Sequence, residues 1–222
     1  MPKSKYYKEG LYIIIIAFIL SLIGCAHLPL PNQPKNAICV PEEDEINLSD
    51  PIDQAVLQII IAYGPLWCNH TALRLVCPKK PVIFWDPGGG YAMDFDSKAR
   101  IRDLILVDPP DLETYLMFRW KNYDNAVEIF EWYISKDYAD GLHDILIKGT
   151  DKDHPAGRFD TYTPVPFCSS AVSDFLNRFA KDLMIVPEKY FFPHNLSRTL
   201  YTQSPDRVIT FKRNGVRSVY TP

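Results

Sequence analysis

Short apolar runs in the first half of the domain have the length and composition of β-strands. Residues 56–64 (VLQIIIAYG) are rich in β-branched side chains and stop at a Gly-Pro pair, which favours a buried strand. A short helix capped by Asp50 is the alternative for the start of this run. Residues 70–77 (HTALRLVC) and 81–86 (PVIFWD) flank the breaker sequence PKKP. We therefore expect an antiparallel hairpin that turns about residue 78.

Later segments have helical features. Residues 108–121 (DPPDLETYLMFRWK) begin with two prolines and acidic residues, which are typical of a first helical turn. Residues 125–141 (NAVEIFEWYISKDYADG) predict a second helix, with Asn125 as its cap and Gly141 as its stop. A third helix is predicted to begin at Cys168. Its apolar positions have the spacing of one buried face: Val172, Phe175, Leu176, Phe179 and Leu183.

The N-terminus has the pattern of a secretion signal. Three lysines precede a 13-residue apolar run, Leu11–Ile23, which is shorter than the ~20 residues that span a bilayer. The run ends in LIGC, which resembles the bacterial lipobox, where the chain is cleaved before the cysteine and Cys25 is lipidated. Ala26 follows, and the same resemblance then implies sorting to the outer membrane. An uncleaved anchor helix is the alternative interpretation.

These features predict three parts: a signal peptide (1–24), a lipidated Cys25 with a proline-rich tether (25–47) and one domain (48–222). A last strand, at 207–213 (RVITFKR), closes this domain. Cleavage would remove three lysines and one glutamate and change the formal net charge from −3 to −5. No basic surface is implied, so we expect no nucleic-acid partner, and we expect contact with the membrane through the N-terminal lipid.

Five cysteines bear on the chemistry of a secreted protein. Cys25 is the predicted lipid anchor, and the others are Cys39, Cys68, Cys77 and Cys168. These four allow two disulfides. If Cys168 stays free, one of the other three is left over, and the sequence does not decide the pairing. There is no CxxC motif and no Cys/His spacing typical of a metal site, so we expect neither a metal nor a cofactor.

Cys168 has the position of an activated thiol. A cysteine at a helix N-terminus meets unpaired backbone N–H groups and the positive end of the helix dipole, which both favour the thiolate. A nucleophile also needs a base, and His70 opens a predicted strand from which it can reach a helix terminus. In a hairpin that turns about residue 78, Asp86 lies directly across from His70 and can orient its ring. His154 is the other candidate base.

The order of these residues carries a resemblance. A histidine that opens a strand (NHTALRL), followed about a hundred residues later by a cysteine that begins a helix (PFCSSAVSDFL), resembles the circularly permuted NlpC/P60 papain-like superfamily. That group includes lecithin retinol acyltransferase-like proteins and bacterial lipoproteins. The downstream FFPHNLSRTL resembles the short Pro-led helix of these relatives. The resemblance implies an α+β fold in which an antiparallel sheet packs against the cysteine-bearing helix.

The resemblance also implies acyl-transfer chemistry. Cys168 would be the nucleophile, His70 the base and Asp86 the residue that orients His70. Together with the envelope location, it favours a thiol hydrolase, an amidase or endopeptidase that cleaves cell-wall (peptidoglycan) peptide on the periplasmic side of the membrane. Two alternatives stay open: a cysteine-dependent acyltransferase or esterase with a lipid acyl substrate, and a non-catalytic lipoprotein that binds wall peptide or a protein partner.

Overall fold

The computed structural model has one antiparallel β-sheet with helices on both faces. It describes residues 34, 36–64, 69–94, 98–100, 104–123, 126–149, 168–186, 190, 192–212 and 217–222. Its strands are β1 Ile38–Val40, β2 Ala55–Tyr63, β3 His70–Val76, β4 Ile83–Trp85, β5 Lys98–Arg100, β6 Ile105–Val107, β7 Ala126–Ile134, β8 Arg207–Phe211 and β9 Arg217–Tyr220. They are ordered β1-β9-β8-β7-β2-β3-β4-β6-β5. The α+β class and the antiparallel sheet are confirmed.

The helices that pack on this sheet include the one that begins at Cys168. They are α1 Leu112–Tyr123, α2 Lys136–Lys148, α3 Cys168–Phe179, α4 Pro193–Tyr201 and a short 3-10 helix, Tyr91–Asp94. The predicted helices at 108–121 and from Cys168 onward are present. In the described parts of the chain, no helix has both the length and the apolar character needed to cross a bilayer.

The prediction of one helix over 125–141 is wrong. Ala126–Ile134 forms strand β7, and α2 begins only after Ser135, whose hydroxyl accepts a hydrogen bond from the Tyr138 amide at 3.3 Å. Gly141 lies inside α2, and the helix ends at Gly149 with φ 71°. The predicted cap, Asn125, lies outside the described residues. Burial on both sheet faces favours β-branched and aromatic side chains, and these fill the sequence AVEIFEWYI.

The two central strands, β2 and β7, are buried along nearly their whole length. On one face of the sheet, Leu57 and Ile59 belong to a core that also holds the buried sides of α2, α3 and α4. On the other face, Ile60 and Ala62 pack with α1 and the 3-10 helix. Helix α3, which begins at Cys168, and helix α1 are therefore on opposite faces of one sheet.

The segment before β2 is part of the folded domain. Ile38–Val40, which lies in the region predicted as a tether, pairs with β9. Asp50, considered as a helix cap, instead accepts two hydrogen bonds of 2.6 Å from the guanidinium of Arg74. Residues 55–63 are a strand, so the alternative of a short helix there is wrong. Ion pairing and strand pairing together fix this N-terminal segment against the sheet.

Candidate active site

The three side chains predicted to carry chemistry come together at one end of the β3–β4 hairpin. His70 is the first residue of β3, Asp86 directly follows β4, and Cys168 is the first residue of α3. The Nε2 atom of His70 lies 2.5 Å from Oδ1 of Asp86. The Sγ atom of Cys168 accepts a hydrogen bond of 3.3 Å from the backbone N–H of Thr71, the residue next to His70.

The predicted hairpin register is wrong by two residues. The observed pairs Leu73–Trp85 and Leu75–Ile83 centre the hairpin on residue 79 instead of 78. Extending this register places Ala72, two residues along the strand from His70, opposite Asp86. Residues two apart on a strand share a face, so the slip leaves His70 and Asp86 on the same side of the sheet. Their contact is diagonal across the hairpin.

Asp86 is fixed by a tight turn. The backbone N–H of Gly89 donates to the Asp86 carbonyl at 3.0 Å, and Gly88 between them has φ 69°, as expected for a Pro-Gly type II turn. The turn leads into the 3-10 helix, and the Ala92 N–H donates to Asp86 Oδ2 at 3.0 Å. A Cβ atom on Gly89 would lie 2.1 Å from Asp86 Oδ1. Glycine is therefore required for the carboxylate to sit here.

Helix α3 holds the thiol by packing along one side. Val172, Phe175 and Leu176 are buried, as the sequence predicts, and Phe179 packs against the same core. Leu183, predicted on the same helical face, lies beyond the end of α3. The ring of Phe175 makes an edge contact, 5.6 Å between centroids, with Trp85 on β4. The helix that carries Cys168 thus packs on the strand that precedes Asp86.

The electrostatics favour an ion pair between Cys168 and His70. Burial raises the pKa of the Cys168 thiol, but the His70 charge, a hydrogen bond with the His70 ring and the N–H groups of Thr71 and Ser169 outweigh it, so the pKa is lowered. Burial lowers the pKa of His70, yet the charges of Cys168 and Asp86 raise it to about 9. Both shifts favour the thiolate–imidazolium pair over the neutral thiol and imidazole.

Asp86 is the innermost of three interacting side chains, Asp86, His70 and Cys168, which we call the row. Burial raises its pKa, but the charge and hydrogen bond of His70, the Ala92 N–H and the charge of Arg119 lower it below the usual value. Asp86 is fully buried and His70 is 5 % exposed, whereas Cys168 is partly exposed. Because Nε2 of His70 is occupied by Asp86, Nδ1 is left for the thiol.

A second buried carboxylate, Glu128 of β7, lies on the sheet face that carries α4. Its Oε2 accepts hydrogen bonds from the hydroxyls of Tyr63, at 2.5 Å, and Ser197, at 2.8 Å. Its Oε1 accepts from the Tyr201 hydroxyl at 3.0 Å. Burial outweighs these three donors and raises the pKa of Glu128. This cluster joins α4 to the centre of the sheet.

Of the other residues considered from the sequence, Cys39 and Cys77 do not join the site. Cys39 is exposed and Cys77 is buried, and neither forms a disulfide. Cys25, Cys68 and His154 lie outside the described residues. Within the described ranges, no group of three or more His, Cys, Asp or Glu side chains is placed to hold a metal ion.

Several residues of the site escaped the sequence analysis. Thr71 and Ala92 contribute backbone N–H groups, which no side-chain pattern reveals. Arg119 is buried and its charge acts on Asp86, although its place in a predicted helix suggested nothing about the site. Gly89 had a signal: a Pro-Gly-Gly run directly after Asp86 is typical of a type II turn that brings backbone close to a side chain. Comparison with protein-family models, curated protein sequences and solved structures found no match.

Proposed function

We propose that this protein is a cysteine hydrolase that cleaves an amide bond in cell-wall peptide. The observation that carries the proposal is the row from Asp86 through His70 to Cys168, with a 2.5 Å contact between Asp86 and His70 and a partly exposed Cys168 at the other end. A buried acid, an oriented imidazole and a thiol of lowered pKa are the parts that nucleophilic acyl transfer requires.

The proposed reaction has two steps. The Cys168 thiolate attacks the carbonyl carbon, and the backbone N–H of Cys168 hydrogen-bonds the developing oxyanion. As the C–N bond breaks, the His70 imidazolium gives its proton to the leaving amine and a thioester remains on Cys168. Neutral His70 then takes a proton from water, which attacks the thioester. The C–S bond breaks, the acid product leaves, and the thiolate–imidazolium pair is restored. Asp86 holds the ring in position throughout.

The family, anchor and location belong to the same proposal. The order His70 before Cys168, and the packing of α3 on β3, support membership of the permuted NlpC/P60 papain-like group. Pro193 begins α4, as in the Pro-led helix of that group. We propose that Cys25 is lipidated and holds the domain at the outer membrane, facing the periplasm. A Cys25→Ser variant that still incorporates a labelled fatty acid at the wild-type level would contradict this anchor.

Substrate turnover tests the proposed activity. The full chain in detergent is incubated with muropeptides and, separately, with short-chain acyl esters. Cleavage of muropeptides supports the amidase, and cleavage of esters alone supports the lipid acyltransferase or esterase instead. Cys168→Ser changes one atom and should leave folding intact while turnover is lost, because an unactivated serine is a much poorer nucleophile.

The matched control is Cys77→Ser, which changes a buried thiol outside the site. It should keep full turnover if the fold is retained. If wild type, Cys168→Ser and His70→Ala all bind wall fragments equally and none cleaves either substrate, the protein is a binding module and the proposed activity is wrong.

A further inference from the structure

Helix α1 brings a buried positive charge next to the Asp86 turn. Arg119 is 4 % exposed, and its guanidinium carbon lies 4.6 Å above the ring of Tyr123. The same helix packs on the turn itself: a Cβ atom on Gly90 would be 3.2 Å from the Tyr123 hydroxyl and 3.8 Å from the ring of Phe118. Helix α1 is therefore packed against the Asp86 end of the row that leads to Cys168, and the charge of its Arg119 acts on Asp86.

The row needs such a charge. With Asp86 ionised, His70 protonated and Cys168 a thiolate, a mostly buried group of three carries one net negative charge. A buried charge that is not compensated is strongly destabilising, so a nearby cation is favoured. The field of Arg119 reaches Asp86 and favours its ionised form.

The neighbouring titratable groups do not supply this balance. Tyr91 of the 3-10 helix and Tyr115 of α1 face Asp86, and burial raises the pKa of both, that of Tyr91 to about 12, so both are neutral near pH 7. Arg74 lies on the same face of β3 as His70, but its charge is paired with Asp50. Asp111 is an acid that accepts hydrogen bonds from Thr114 at the start of α1, so it supplies no positive charge.

We propose that Arg119 is a positioning residue of this site: its guanidinium balances the excess negative charge of the carboxylate–imidazolium–thiolate row and acts on Cys168 through Asp86 and His70. The inference rests on the proposed role of Cys168 as a thiolate. It goes beyond the proposed triad because it assigns the charge balance of the triad to a helix on the opposite face of the sheet from α3.

The test is the pH profile of Cys168 alkylation in the full chain. The rate of iodoacetamide labelling is followed at the Cys168 peptide for wild type, Arg119→Gln and Arg119→Lys. Loss of a nearby cation disfavours the thiolate, so Arg119→Gln should move the labelling midpoint up by about 0.5–1 pH unit, which is about 3–10-fold slower labelling below the midpoint. Arg119→Lys keeps the positive charge, so its labelling midpoint should lie close to that of wild type.

The matched control is Arg178→Gln. Arg178 also lies over an aromatic ring, 4.8 Å from the centroid of Phe179, but it is on α3 and pairs with Asp174. It should leave the midpoint unchanged. A structural role of Arg119 alone would lower the melting temperature without moving the midpoint. A wild-type midpoint in folded Arg119→Gln, or a shift in folded Arg119→Lys as large as in Arg119→Gln, would overturn the inference. An ordinary thiol midpoint in wild type would overturn the proposed function as well.

Discussion

Asp86 and Glu128 are both carboxylates buried in one sheet, yet their surroundings drive their pKa values in opposite directions. Asp86 is fully buried and Glu128 is 2 % exposed, so burial raises the pKa of each. At Asp86 the charge of His70 and the backbone donor of Ala92 outweigh burial, and the pKa is lowered. At Glu128 three neutral hydroxyls do not outweigh it, and the pKa is raised.

The difference lies in the kind of donor. The Ala92 backbone N–H can donate a hydrogen bond but cannot accept one, and both ring nitrogens of a protonated imidazole are likewise donors. Asp86 must therefore accept on both of its oxygens. The hydroxyls of Tyr63, Ser197 and Tyr201 can rotate and can accept as well as donate. The Asp86 pocket is built for a negative charge, whereas the Glu128 pocket is built for a polar group of either charge state.

The largest expected effect comes from the matched pair Asp86→Asn and Glu128→Gln. An amide offers one acceptor and one donor, so Asn at position 86 must face either His70 or Ala92 with the wrong group. Turnover should fall by about 10²–10⁴-fold, and Cys168 alkylation at neutral pH should slow with it. Glu128→Gln should leave both rates within about twofold.

Equal losses of turnover and of Cys168 alkylation in the two variants would contradict the difference between the two carboxylates. They would mean that the Glu128 cluster acts on Cys168, or that both substitutions unfold the domain. Thermal unfolding of each variant, measured on the same samples, separates these two cases.

A smaller effect is expected from the pair Gly89→Ala and Gly141→Ala. A Cβ at position 89 overlaps the Asp86 carboxylate, which must leave its partners, so the free energy of unfolding should fall by about 3 kcal/mol or more and Cys168 should lose reactivity. At Gly141 no atom lies within 4 Å of the added Cβ. Alanine there should raise the free energy of unfolding by about 0.5–1 kcal/mol, because it favours the helix. Denaturant unfolding of both variants measures this, and equal effects would contradict the tight approach at Asp86.

The smallest expected effect is in the pH dependence of stability. The pKa of Glu128 is raised in the folded protein, so its stabilising contribution is complete below about pH 4.3, the unfolded value, and is lost as pH rises through the folded value. Glu128→Gln removes this loss. Between acidic and neutral pH the variant should therefore gain stability relative to wild type, by no more than about 2 kcal/mol. Parallel curves of unfolding free energy against pH for the two proteins would contradict the raised pKa.

The same two carboxylates show what the sequence could and could not predict. Asp86 was found because it ends a strand beside a strand that begins with His70, and two-residue periodicity places both on one face even when the register is wrong. The helix predicted over 125–141 rested on Asn125 as cap and Gly141 as stop, and that pattern did not mark the two carboxylates inside the span, Glu128 and Glu131. Both are buried in the strand β7, where Glu128 has its hydroxyl partners and Glu131 pairs with Arg207.

Contacts from distant segments explain the remaining differences. The edge strand β1 and its neighbour β9 are short and pair with each other, and β9 also pairs with β8. A local sequence pattern does not encode these pairings. Arg119 reaches the site only because α1 packs on the Asp86 turn. Helix α3 was predictable, since a cysteine followed by regularly spaced apolar residues is a local signal. Cys168, His70 and Asp86 could be predicted, whereas the backbone N–H groups of Thr71 and Ala92 and the charge of Arg119 could not.

The protonation state of the His70 ring tests the thiolate–imidazolium pair directly. Imidazole ¹⁵N NMR of the full chain in detergent, with His70 assigned through a His70→Ala variant, follows the protonation of the ring against pH. We expect His70 to stay protonated through neutral pH and to titrate with a pKa of about 9. Cys168→Ala should lower this pKa, because the Cys168 charge is the strongest influence that raises it. A His70 that titrates near 6.5 in wild type, with no change in Cys168→Ala, would contradict the thiolate–imidazolium pair and the function proposed from it.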